Sequence, residues 1–111
     1  MHNVNTFSYS RILKRKDKRR AEYRQQRKER GFDNSELWSL DHTIIRFTLP
    51  RLKIFRNYTQ GYPPNFNSFE EWQVTIDKMI DGMEKYILDT SDEEAVEGID
   101  LFLKYFRHLW S

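Results

Sequence analysis

The sequence predicts an all-α protein: a basic N-terminal helix or arm followed by a small three-helix bundle with a kinked central helix. Three observations lead there. Apolar residues after position 36 recur at three- and four-residue intervals, as in Trp72, Ile76, Met79, Ile80, Met83 and Ile87, the period of a helix with one buried face. No stretch alternates apolar and polar residues between turn signals, as a half-buried strand would. The chain also divides by composition: all three Trp, seven of the eight Phe and four of the six Tyr lie after residue 30. The expected organisation is therefore a basic arm or helix over 1–30 and an aromatic-rich helical domain over 31–111. Large rings bury much area per residue, which lets a segment of about 80 residues build a core.

The opening stretch MHNVNTFSYS is polar and uncapped, and little order is expected of it. From Ser10 to Arg30 there is neither Gly nor Pro, and Arg, Lys, Gln, Glu and Ala are good helix formers. Ile12, Leu13, Ala21 and Tyr23 make no continuous stripe. This segment reads as a helix with a frayed start, or as an arm that becomes helical on contact, and Gly31 is its natural stop.

Asn34 or Ser35 as N-cap, with Glu36 in the first turn, opens a helix expected over 35–57. Its polar positions are Ser39, Thr43, Arg46, Pro50, Lys53 and Asn57, which form one helical stripe beside a wide apolar arc. Pro50 lies on that stripe, where a bend convex towards solvent accommodates it, so one kinked helix is expected rather than two. The stretch TQGYPPNFN cannot be helical. Ser68 and Glu71 have capping-box spacing, and so do Ser91 and Glu94. They predict helices over 69–88 and 92–109, the second with Ala95, Ile99, Phe102, Leu103, Phe106 and Trp110 facing inward. Gly82 and Gly98 each lie eight residues from Thr90, in the middle of the last turn. A helical Gly costs about 1 kcal/mol against Ala. In an antiparallel hairpin the two would meet at one level and let the backbones approach.

Charge carries the functional information. Residues 11–30 hold eleven Lys and Arg against three acids, whereas residues 31–111 hold eight against fourteen, and the whole chain is only +2. Such asymmetry points to a polyanionic partner for the basic segment. The residues that would neutralise phosphates are Lys14, Arg15, Lys18, Arg19, Arg20, Arg24, Arg27 and Lys28. Tyr23 could stack on a base, although a single ring is a weak platform. Two other readings stay open: docking of this segment on the acidic half of its own chain, and a protein partner. Membrane-surface binding is not expected, because the segment has no apolar face.

A second basic stripe, His42, Arg46, Lys53 and Arg56, would extend such a surface or simply be the wet side of its helix. Asp77, Asp81 and Glu84 share a helical face, as do Glu93, Glu94 and Glu97, but no His accompanies them. No metal or cofactor is expected, and no nucleophile set, phosphate loop or dinucleotide fingerprint suggests an enzyme. With no Cys, thiol catalysis, disulfides and thiolate metal sites are all excluded. No apolar run approaches a membrane span, no stretch has the character of a signal peptide, and the expected compartment is the cytoplasm.

Read in order, GFDNSELWSLDHTIIRFTLPRLKIF, GYPPNFNSFEEW, DKMIDGMEKY and EGIDLFLKYFRHLW resemble a family of small bacteriophage or prophage proteins that pair a basic N-terminal region with an aromatic helical domain. The resemblance covers roughly residues 30–111, and its most specific part is the series W-S-L-D, L-P-R-L-K and G-Y-P. It implies a protein acting in the host cytoplasm and brings no particular activity, so no functional residue is carried over. The expectation is a non-enzymatic accessory protein that binds nucleic acid or another polyanion. The alternative is a protein-interaction module that modulates or inhibits a host or phage nucleic-acid-handling complex.

Overall fold

Nothing before Gly31 interrupts a helix, and the first helix, α1, runs from His2 to Arg30. The structure, a computed structural model, describes residues 2–110, with side chains from residue 15 onward. Among the described residues every regular element is helical and none is a strand. After α1 (His2–Arg30) come α2 (Ser35–Trp38), α3 (Leu40–Tyr58), α4 (Phe69–Leu88), α5 (Glu93–Lys104) and a 3₁₀ turn, Phe106–His108. The chain forms two compact units, one ending at Leu40 and the other starting at Asp41. The helix begins at His2 rather than near Ser10, and no Gly or Pro stands in its path before Gly31.

In the first unit, α1 stops at the glycine its sequence marks. Gly31 has φ +85°, open to Gly without strain. Its N–H donates to the Arg27 carbonyl at 2.8 Å, closing the last turn. The chain then doubles back through a local capping arrangement centred on Asp33, not on Asn34 or Ser35. The Asp33 carboxylate accepts from the Ser35 backbone N–H at 2.8 Å and from the Ser35 hydroxyl. In return the Glu36 carboxylate accepts from the Asp33 N–H at 2.7 Å, the reciprocal pattern of a capping box. Asn34 itself has helical φ and ψ and caps nothing with its side chain.

The helix expected over 35–57 is broken, but at Ser39 (φ −129°, ψ 70°) and not at Pro50. α3 passes through Pro50, which is exposed. The missing N–H therefore frees a carbonyl on the wet side, where water replaces the lost partner.

The core of the second unit is built from one face of each helix. Ile45, Leu49 and Leu52 from α3 pack with Trp72, Ile76, Met79, Ile80 and Met83 from α4, and Tyr105 closes the end. α4 occupies the predicted span, with the Ser68 hydroxyl accepting from Glu71 N–H at 3.2 Å. α5 differs at both ends. Its N-cap is Asp92, whose carboxylate accepts from the N–H groups of Glu94 and Ala95, while Ser91 donates to Asp89 instead. The helix ends at Lys104 and tightens into the 3₁₀ turn, which has fewer residues per turn and so rotates the last side chains about the axis. Tyr105 turns inward at this junction, Phe106 and Trp110 after it are exposed although expected inside, and Leu103, still within α5, is exposed too.

α4 and α5 touch backbone to backbone. A Cβ on Gly82 would lie 2.6 Å from Gly98 Cα, and one on Gly98 would lie 2.6 Å from the Lys78 carbonyl oxygen. The two glycines are the reason these helices pair so closely.

Candidate nucleic-acid interface

A helix rich in cations and poor in apolar residues cannot bury its own charges, and α1 does not. Among the described residues, Arg15, Lys18, Arg19, Arg20, Arg24, Arg27 and Lys28 are all exposed along its surface. The Lys14 side chain lies outside the described residues. The structure does separate these positions into two groups. Arg27 and Arg30 belong to the returning segment: Arg27 pairs with Asp33 at 2.5 Å, and Arg30 donates to Asn34 Oδ1 at 2.6 Å and to the Phe32 carbonyl at 3.1 Å. On that side Gln26 Oε1 accepts from Asn34 N–H at 2.8 Å, and Tyr23 meets Trp38 edge-on with centroids 6.1 Å apart. Tyr23 is thus part of a small local contact and not a free stacking platform.

A neighbouring side of the helix carries Lys16, Arg20, Arg24 and Lys28 at successive four-residue intervals. Residues at this spacing form one ridge, here about 18 Å long at 1.5 Å per residue. Arg20 has only a loose contact with Asp17, at 3.9 Å with both side chains mostly exposed. Lys16, Arg24 and Lys28 make no ion pair among the described residues. Like charges at four-residue spacing mildly oppose the helix, so an anion laid along the ridge relieves repulsion as well as supplying attraction. Lys16 was not among the sequence candidates. Its signal was present as the i, i+4, i+8, i+12 series, which a count of total charge passes over.

Asp33 anchors the other side. Its side chain is nearly buried. The hydrogen bond from the Ser35 hydroxyl, and after it that from Arg27, hold its carboxyl below the usual aspartate range, against the opposing pull of burial. A depressed folded value means the contribution is complete above the unfolded value of about 3.9 and is lost as pH falls through the lower folded one. In an NMR acid titration, the Ser35 amide shift should move with a midpoint below that of a free aspartate. A midpoint at or above it would contradict this cap.

The second basic stripe is not a free surface. Lys53 pairs with Glu84 at 3.1 Å, and Arg56 holds Asp77 with two donors, the Nη2 contact at 2.9 Å. His42 sits against the Tyr86 ring at 5.5 Å, and the Tyr86 hydroxyl donates to Asp41 at 2.5 Å. Among the described residues, Arg46 is the one member of that stripe that is exposed without such a partner. The carboxylates Asp77 and Glu84 are spent on these α3 cations, and among the described residues no group of three His, Asp or Glu side chains is placed to hold a metal ion. No helix there is long and apolar enough to cross a membrane. Comparison of the chain with protein-family models, curated proteins and solved structures gives no match.

Proposed function

We propose that this chain is a non-enzymatic phage accessory protein that works in the host cytoplasm and binds nucleic acid or another polyanion along α1. The observation that supports it is the exposed ridge Lys16, Arg20, Arg24 and Lys28, clear of the segment that occupies Arg27 and Arg30. A row of fixed cations releases condensed counterions when phosphates approach, which gives affinity without sequence preference and a strong dependence on salt. Anisotropy titrations of labelled duplex DNA at two salt concentrations test the reading. Affinity that is absent at low salt, or indifferent to salt, rejects it.

One observation favours the alternative of a protein-interaction module. In this reading α3, α4 and α5 act as a small three-helix bundle that presents the outer face of a bent α3. On that face Ile44, Phe47, Ile54 and Tyr58 are exposed at helical spacing, with Arg51 between them stacked 3.7 Å above the Phe47 ring. Large apolar residues aligned in this way mark an interaction surface. Arg51 lies within the row and Arg46 beside it, and α3 has no acid after Asp41. The fitting occupant is therefore an apolar helix with acidic flanks, borne by a host or phage protein of a nucleic-acid-handling complex. Phe47→Glu with Ile54→Glu should abolish a nuclease-resistant association in infected cells and leave the thermal melt unchanged. Retention of the partner by this variant would refute the surface.

A further inference from the structure

The loop after α3 and the segment after α5 are built to stay together. Thr59 and Pro63 are buried, and Phe66 N–H donates to the Pro63 carbonyl at 3.0 Å. The Phe66 ring lies 5.3 Å from Trp72 and 5.2 Å from Tyr105, while Asn65 Nδ2 donates to the Tyr105 hydroxyl at 3.1 Å. On the other side, His108 N–H donates to the Tyr105 carbonyl at 2.9 Å and Leu109 N–H to that of Phe106 at 3.3 Å. Tyr105 thus pins both walls of the space between them.

That space is an open cleft of about 1130 Å³, lined by Tyr58, Tyr62 and Trp110 together with Lys104, Arg107 and His108, and among the described residues by no carboxylate. Its rings are unusually bare: Tyr58 is 69% exposed and Trp110 74%. Its cations are uncommitted, since Arg107 has no ion pair among the described residues and Lys104 only overlies the Tyr105 ring at 5.4 Å. Exposed ring faces beside cations, with no acid among the described lining residues to repel an anion, select a ligand that is flat, aromatic and negatively charged at once.

We propose that this cleft binds nucleotides of single-stranded nucleic acid, with bases stacking on Trp110 and the tyrosines and phosphates meeting Lys104 and Arg107. The inference goes beyond the α1 reading and stands on the cleft alone. A duplex keeps its base faces inside its own stack, so only a single strand offers ring faces and phosphates together. The volume exceeds the range of about 300–1,000 Å³ usual for one small molecule, which suits adjacent nucleotides. A bare polyphosphate would engage the cations and leave the rings idle, and a proline-rich peptide would do the reverse.

The probe is a labelled tetrathymidylate, set against an abasic chain with the same phosphates. Both are titrated into the full-length protein and into a version with Lys16, Arg20, Arg24 and Lys28 changed to Glu. Tetrathymidylate should bind both forms of the protein, and the abasic chain at least about tenfold more weakly, because stacking is lost. Trp110→Ala and Arg107→Glu should each weaken tetrathymidylate roughly tenfold, and circular dichroism should report unchanged helix content since both side chains are exposed. Equal affinity for the two probes, or Trp110→Ala binding like the parent, overturns the proposal. Failure of the α1 reading would show separately, as duplex affinity unaffected by the four α1 changes.

Discussion

Gly98→Ala is expected to cost the second unit about 2–4 kcal/mol, near or beyond the upper end of ordinary overpacking. The methyl group would sit 2.6 Å from the Lys78 carbonyl oxygen and 2.7 Å from Gly82 Cα. Both obstacles are backbone atoms of a helix, so no side chain can rotate away, and α4 and α5 must separate. That separation would open the core around Ile76, Met79 and Met83, which are almost fully buried. A core this small rarely supplies more than about 3–5 kcal/mol, so Gly98→Leu should leave the unit unfolded at room temperature. For Gly98→Ala, the melting midpoint followed by circular dichroism should fall by roughly 10–25 °C, at some 4–8 °C per kcal/mol for a unit of this size. Gly82→Ala should behave alike, since its Cβ would meet Gly98 Cα at 2.6 Å. Gly61→Ala, with nothing within 4 Å, is the control and should be neutral. A Gly98→Ala protein that melts with the parent would mean the helices are not in backbone contact.

Changing Lys16, Arg20, Arg24 and Lys28 together to Glu should abolish duplex binding. With about six phosphates engaged by the ridge and by Arg15 and Arg19, log K for the parent should fall against log salt with a slope near −5. The four changes turn an attractive row into a repulsive one while leaving Arg27 on Asp33, so the cap at the end of α1 survives. Single changes are a poor test, because individual exposed charges contribute little. The same protein also addresses docking of α1 on acidic residues of its own chain. In that case the parent would bind no nucleic acid, and the reversed protein would melt at a lower temperature because attraction to Glu93, Glu94 and Glu97 becomes repulsion. An unchanged melt with lost binding is the expected result.

Much of the candidate α1 site could be read from the sequence, because charge per segment and the four-residue spacing of its cations are properties of contiguous residues. What could not be read was its division. Tyr23 and Arg27 look like their neighbours in the sequence, and only the return of the chain through Asp33 and Trp38 removes them from the free side. The cleft was invisible for a stronger reason: its walls come from residues 57–64 and 104–110, and nothing local links them.

The sequence by itself determined the all-helical class, the stop at Gly31, the span of α4 and the meeting of Gly82 with Gly98. Each rests on caps, breakers or helical period, whose energetics act over a few neighbouring residues. Tertiary structure alone decided which part of α3's wide apolar arc is buried. Ile45, Leu49 and Leu52 face the core, while Ile44, Phe47 and Ile54 remain outside. It also set Lys53 and Arg56 against Glu84 and Asp77, and turned Tyr105 rather than Phe106 inward. Periodicity tells that a face is apolar. How much of that face a neighbour covers, and at what rotation, depends on the width and tilt of the helix packed against it, which no single stretch of chain encodes.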